Sequence, residues 1–153
     1  MTYVLSRAAL EDMHAHARST YPEECCGMLV EREGRPEVVR VTNVQNALHA
    51  EDPDVFPRTA ATAYTMGPEA APVLIAADRG ELVLRAFYHS HPDHDAYFSA
   101  EDRAQAFGGG DEPYYPDARQ VVISVRAGVV RATRMFAWDA AVRDFVEVQL
   151  GPG

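Results

Sequence analysis

The sequence predicts an α/β fold, with a single mixed, twisted β-sheet flanked by helices. Three observations carry that prediction. Apolar runs suited to strands outnumber the amphipathic helical stretches. Helices fall between some of those runs, as in a β-α-β unit, and the C-terminal part of the chain alternates like an antiparallel meander. At 153 residues the chain suits one domain, spanning 1–150, with room for a substantial core. Its 47% hydrophobic and 24% charged content is an ordinary globular balance.

Residues 6–18 read as an amphipathic helix, with Ser6 as N-cap and Leu10, Met13 and Ala17 at helical spacing. Tyr21-Pro22 ends it, because the residue before a proline is steered away from helical geometry. Residues 25–31 form a mostly apolar run suited to a strand, and residues 33–36 (Glu-Gly-Arg-Pro) read as a turn. Residues 37–44 alternate well enough for a second strand, which makes a hairpin. Residues 45–58, with Pro53 and Pro57, read as an irregular surface loop, and 60–66 as a short strand. Residues 69–79 predict a helix with Pro72 in its first turn and Gly80 as its stop. Residues 82–89 form the central strand, and 99–107 a short helix ended by Gly108, Gly109 and Gly110. Residues 120–125, 129–138 and 143–148 close the sheet.

Composition excludes several classes of function. A net charge of −9 and a pI near 5.0 argue against a nucleic-acid partner. All 14 basic residues are Arg. An Arg-biased genome and adaptation to concentrated salt both account for that, and the choice stays open. The longest apolar stretch, residues 70–77, contains a proline and is far too short to cross a bilayer, so no membrane partner is expected. The N-terminal residues show no basic segment followed by an apolar one, which makes cytoplasmic residence the expectation. Cys25 and Cys26 are adjacent, and strand neighbours point to opposite faces, which disfavours a disulfide between them. They read as small buried thiols, with a thiol ligand to a metal as the alternative.

The chemistry concentrates at the end of the central strand. His89 and His91 are two residues apart, so both rings point to one face and can converge on one ion. Asp102 follows on the next helix, behind Ser99. Two His, one carboxylate and a position left to water is the composition of a catalytic zinc site. Ser99 and Asp102 also have the spacing of a helix capping box, and the two roles are compatible, since a first-turn carboxylate is held ionised by the helix dipole. His14 and His16 are spaced alike but lie on a helix, where such neighbours do not share a face. They read as solvated. His49 gets no role. Glu23 and Glu24 sit at the first helix-to-strand junction, where a carboxylate can serve the proton transfers that hydrolysis needs. Glu23 reads as a solvated loop residue.

Glu24, His89-Ser90-His91, seven residues, Ser99, two residues and Asp102 together resemble the full motif of the JAMM (MPN-type) zinc metallopeptidases. The Pro-Glu-Glu-x-Cys-Gly stretch and short insertions resemble the compact prokaryotic branch of that family. The resemblance implies an MPN domain with cytidine-deaminase-like layering. It also implies one Zn2+ per chain, held by His89, His91 and Asp102 with water as fourth ligand. Glu24, chosen over Glu23 by the resemblance, would be general base and then general acid. Ser99 would hydrogen-bond the water or the developing oxyanion, typically worth about 3 kcal/mol. The implied activity is hydrolysis of a peptide or isopeptide bond after the C-terminal Gly-Gly of a ubiquitin-like or sulfur-carrier β-grasp protein, which is the expected partner. Such a tail can lie as an added strand on a sheet edge. Tyr97 and Phe98 would wall the channel or fill core, and residues 93–96 and 108–111 flank the site as candidate lids.

Two other readings stay open. One is a non-catalytic MPN scaffold that binds protein partners. The other is a metallo-β-lactamase-type hydrolase, because His89-x-His91-x-Asp93-His94 also fits that two-zinc pattern. That family needs further histidines downstream, and none follows His94. The patterns His-Glu-x-x-His and Pro-Cys-x-x-Cys do not occur.

Overall fold

Hydrogen bonding orders the strands β2-β1-β3-β4-β5-β6 in one sheet. In chain order the computed structural model, which describes residues 3–151, runs α1 (Arg7–Thr20), β1 (Cys26–Arg32), β2 (Arg35–Val41), α2 (Gln45–Glu51) and α3 (Ala70–Asp78). It continues through β3 (Val83–Pro92), α4 (Ala100–Ala106), β4 (Arg119–Arg126), β5 (Val129–Asp139) and β6 (Asp144–Val148). All neighbours are antiparallel except β3 and β4, which run parallel and are joined through α4. The predicted mixed α/β sheet is therefore the observed one.

Alternation along the strands sorts the core into two layers. Ala9, Met13 and Ala17 of α1 pack on one face of the sheet against Leu29, Ala86, Tyr88 and Ile123. The other face carries Met28, Val30 and Phe87 under Ala70 and Val73 of α3. The hairpins β1–β2 and β4–β5 turn on Glu33-Gly34 and Ala127-Gly128, whose positive φ values match the right-handed strand twist. The first turn is thus tighter than the sequence suggests. Pro36 lies inside β2, where an edge strand tolerates its missing N–H.

Two segments differ from the sequence reading. Residues 45–51, expected to be irregular, form α2: good helix formers follow Asn43, whose Oδ1 accepts from the Gln45 N–H at 3.0 Å, and the helix stops before Pro53. Residues 60–66, expected to be a strand, contribute only one bridge, Met66 to Asn43. Their backbone groups bond instead to side chains and to Glu24, as the site requires. No helix among the described residues is long and apolar enough to cross a membrane.

Candidate metal centre

The end of β3 and the start of β1 meet because the two strands are antiparallel with Cys26 opposite His89. Continuing that register brings Glu24 to His91, and the bond from Ser90 N–H to the Cys25 carbonyl, 3.2 Å, holds the continuation. Residue parity then puts Glu24, Cys26, His89 and His91 on one face of the sheet, with Cys25, Tyr88 and Ser90 on the other. The chain leaves β3 here to cross over to its parallel neighbour, the kind of switch point where α/β sheets place their sites.

Asp102 arrives from α4. Ser99 is the N-cap, its Oγ accepting from Asp102 N–H at 3.0 Å, while Ser99 N–H donates to Asp102 Oδ2 at 3.0 Å. This complete capping box draws the carboxylate back toward the end of β3. The same Oδ2 lies 3.1 Å from His89 Nε2 and 3.2 Å from His91 Nε2, and the two Nε2 atoms are 3.1 Å apart. Capping and clustering are therefore done by one carboxylate at once.

The donor chemistry of this triangle calls for a cation. His91 Nδ1–H donates to the Asp95 carbonyl at 2.8 Å, so in the neutral ring Nε2 carries a lone pair aimed at Asp102 Oδ2. Acceptor atoms at this distance repel one another unless a positive charge lies among them. Tetrahedral zinc with bonds of about 2.0–2.1 Å sets its ligand atoms roughly 3.3 Å apart, close to the triangle's edges. His89, His91 and Asp102 thus fit the group that the sequence implies, and all three are buried. Burial and the opposing charges shape their titration. Burial pushes Asp102 up, but the His89 and His91 rings in their protonated form, in which Nε2–H donates to Oδ2, outweigh it and hold the carboxyl far below the usual range. His89 is lowered, chiefly by burial. Burial also pulls His91 down, but Asp102 and the Asp95 carbonyl prevail and leave it raised.

Aromatic rings brace both imidazoles. Tyr64 stacks on His89 with centroids 4.7 Å apart, and Tyr97 meets His91 edge-on at 5.2 Å. Phe98 turns away into a cluster with Phe136 and Phe145, so of this pair only Tyr97 borders the site. The cleft beside the triangle is lined by Glu24, His91, Tyr97, Ser99 and Asp102, with Arg58 and Glu101 paired at 2.9 Å. A second, largely apolar cleft, lined by Tyr64, Met66, Leu74, Phe87, Tyr114 and Tyr115, also borders Asp102.

Glu24 is buried, and its backbone is clamped at both groups. Its N–H donates to the Ala60 carbonyl at 2.8 Å, and its carbonyl accepts from Asn43 Nδ2 at 2.9 Å. Asn43 satisfies its whole amide, donating also to Ala63 and accepting from Gln45 and Thr65. Burial pushes the Glu24 carboxyl up to about 8, offset in part by the His91 charge and reinforced by Asp102. Asn43, Ser90 and Tyr64 were not marked by the sequence as parts of the site. For Ser90 a signal existed: the middle residue of His-x-His must face away, where its Oγ accepts from Cys25 N–H at 2.8 Å.

Other histidines lie elsewhere. His16, expected to be solvated, is buried and hydrogen-bonded through Nδ1 to the Tyr88 hydroxyl at 2.6 Å, and His14 Nε2 bonds Thr133 at 2.7 Å. The α1 face of the sheet supplies both partners. Asp93 faces Tyr21 and Ala127 rather than the triangle, so the donors a metallo-β-lactamase pattern would need do not assemble; His94 only borders the cleft.

The model for prokaryotic homologues of the JAB domain matches residues 6–141 of this sequence. The chain belongs to that family. Solved structures agree in fold. A protein from Desulfitobacterium hafniense shares 23% identity, with 95% of this chain and 89% of that one covered and a TM-score of 0.65. A Salinibacter ruber protein shares 25% identity over 99% and 92% of the two chains, with a TM-score of 0.61. A JAB1/MPN domain protein from Archaeoglobus fulgidus shares 15% over 97% of each, with a TM-score of 0.55. No curated protein matches. The JAB/MPN family includes metallohydrolases as well as many inactive members.

Proposed function

We propose that this protein is a zinc-dependent peptidase that hydrolyses the peptide or isopeptide bond after the C-terminal Gly-Gly of a ubiquitin-like or sulfur-carrier β-grasp protein. One observation carries the reading: the convergent Nε2, Nε2 and Oδ2 triangle shares a cleft with a buried, clamped glutamate. An inactive scaffold has no need to keep both. Zinc held by His89, His91 and Asp102 supplies a Lewis acid that polarises a carbonyl and acidifies water.

The chain's own residues do the rest. Glu24, with its proton affinity raised by burial, takes a proton from the attacking water and delivers it to the leaving amine nitrogen. Ser99 accepts from Asp102 N–H through Oγ, which leaves its own O–H free to donate to the oxyanion. A tail ending in glycines presents no side chains to obstruct its approach to the cleft where these groups meet.

The test uses a β-grasp carrier extended beyond Gly-Gly, incubated with zinc-loaded protein. Cleavage abolished by chelator is expected, and Glu24→Gln should lower turnover by about 10²–10⁴-fold while still binding one zinc. Intact carrier with the loaded wild-type protein would refute the reading for that substrate class. Binding of the carrier without cleavage would instead favour the scaffold.

A further inference from the structure

The turn that follows the second histidine, residues 93–96, has the composition of a mobile lid, yet it is tied down at nearly every polar group. Asp93 N–H donates to the Val125 carbonyl at 2.6 Å, and Ser124 Oγ donates to the His94 carbonyl at 2.5 Å. Arg126 reaches the turn twice, with Nη1 to the Asp93 carbonyl at 3.2 Å and Nη2 to Asp95 Oδ1 at 2.6 Å. The Asp93 carboxylate accepts from Ala127 N–H at 3.0 Å and from the Tyr21 hydroxyl at 2.8 and 2.9 Å. Asp93 itself sits at φ 60°, a left-handed conformation that these bonds hold in place.

The tether ends at the site. The Asp95 carbonyl that it positions is the acceptor for His91 Nδ1–H. We propose that Arg126, with Asp93, is a positioning residue for the metal centre. By latching this turn to the β4–β5 hairpin it keeps the Asp95 carbonyl on Nδ1, which holds the His91 proton there and aims the Nε2 lone pair at the ion. The inference rests on the reading of His91 as a metal ligand. Partners of this kind fix ring orientation and tautomer, and their loss typically weakens metal binding about 10–100-fold. The side-chain bonds of Arg126 and Asp93 are exposed and weak singly, so the effect belongs to the set.

Two readouts separate this role from simple stabilisation. Zinc affinity, measured by competition with a chromophoric chelator, should fall about 10-fold in Arg126→Gln and partly recover in Arg126→Lys, while the metal-free melting temperature moves little. Nitrogen-15 NMR of the metal-free wild type at alkaline pH should show neutral His91 protonated at Nδ1. Asp93→Asn keeps the left-handed preference and carries the same affinity test should Arg126→Gln fail to fold. Affinity within twofold of wild type in the folded variants, or a wild-type His91 protonated at Nε2, would overturn the proposal. Should the wild type bind no zinc at all, the peptidase reading falls, and the tautomer measurement still judges the latch.

Discussion

The two faces of β3 use alternate residues of one strand for opposite purposes. On the α1 side, Tyr88 and Ser90 end in finished hydrogen bonds, to His16 at 2.6 Å and from Cys25 N–H at 2.8 Å. On the other side, the Nε2 atoms of His89 and His91 converge on each other and on Asp102 Oδ2, and His89 Nδ1 is buried with no hydrogen-bond partner among the described residues. Buried polar groups left unpartnered or crowded against one another are costly, so the second face gives up stability that the α1 face keeps. One face stores stability, and the other gathers the groups that could hold a metal ion.

Substitutions on each face should break that division, or confirm it. The largest effect is expected for Asp102→Ala. Zinc affinity should drop by more than the ~100-fold typical of outer-shell changes, while the lost capping box removes only about 1 kcal/mol of stability. Chelator competition and denaturant unfolding measure the two. A stability loss exceeding the loss in binding free energy would make Asp102 primarily a structural cap.

Gly27 provides the converse. It pairs with Tyr88 across β1 and β3, and a Cβ there would lie within 2.5 Å of ring atoms. Gly27→Ala should therefore cost about 1–3 kcal/mol, or more if the ring cannot shift. Zinc affinity should stay near wild type in the folded fraction, and a large fall in it would show that the two faces are coupled.

The smallest effect is a pH dependence. Burial lowers the His16 pKa to about 4 from an unfolded value near 6.5. The unfolded chain therefore takes up this proton first as pH falls. The His16 contribution is complete above about pH 6.5 and is lost toward pH 4, at roughly 1.4 kcal/mol per unit. His16→Asn should flatten that part of the acid limb relative to wild type. Parallel limbs in the two proteins would place the titration elsewhere.

Legibility followed the range of each interaction. The helix that carries Asp102 was readable because its capping box is local, and so was the His89–His91 pair, because strand alternation is local. Helix α2 is only seven residues long and is followed closely by Pro53 and Pro57, so its local signal is that of a loop. The strand expected at 60–66 failed for a different reason. Its backbone serves Asn43, Asn46 and Glu24, partners distant in sequence that no periodicity reveals. His16 was misread because its partner, Tyr88, lies 72 residues away on the sheet.

The sequence by itself determined which side chains could form a metal centre, because donor type and the two-residue strand period are properties of the chain alone. Only the tertiary structure decided that Glu24 stands with them and that Asp93 and His94 do not. An antiparallel register brings the start of β1 to the end of β3, and a parallel crossover swings α4 over the same spot. Register and crossover are set by the packing of both sheet faces at once, and no stretch of sequence holds that information locally.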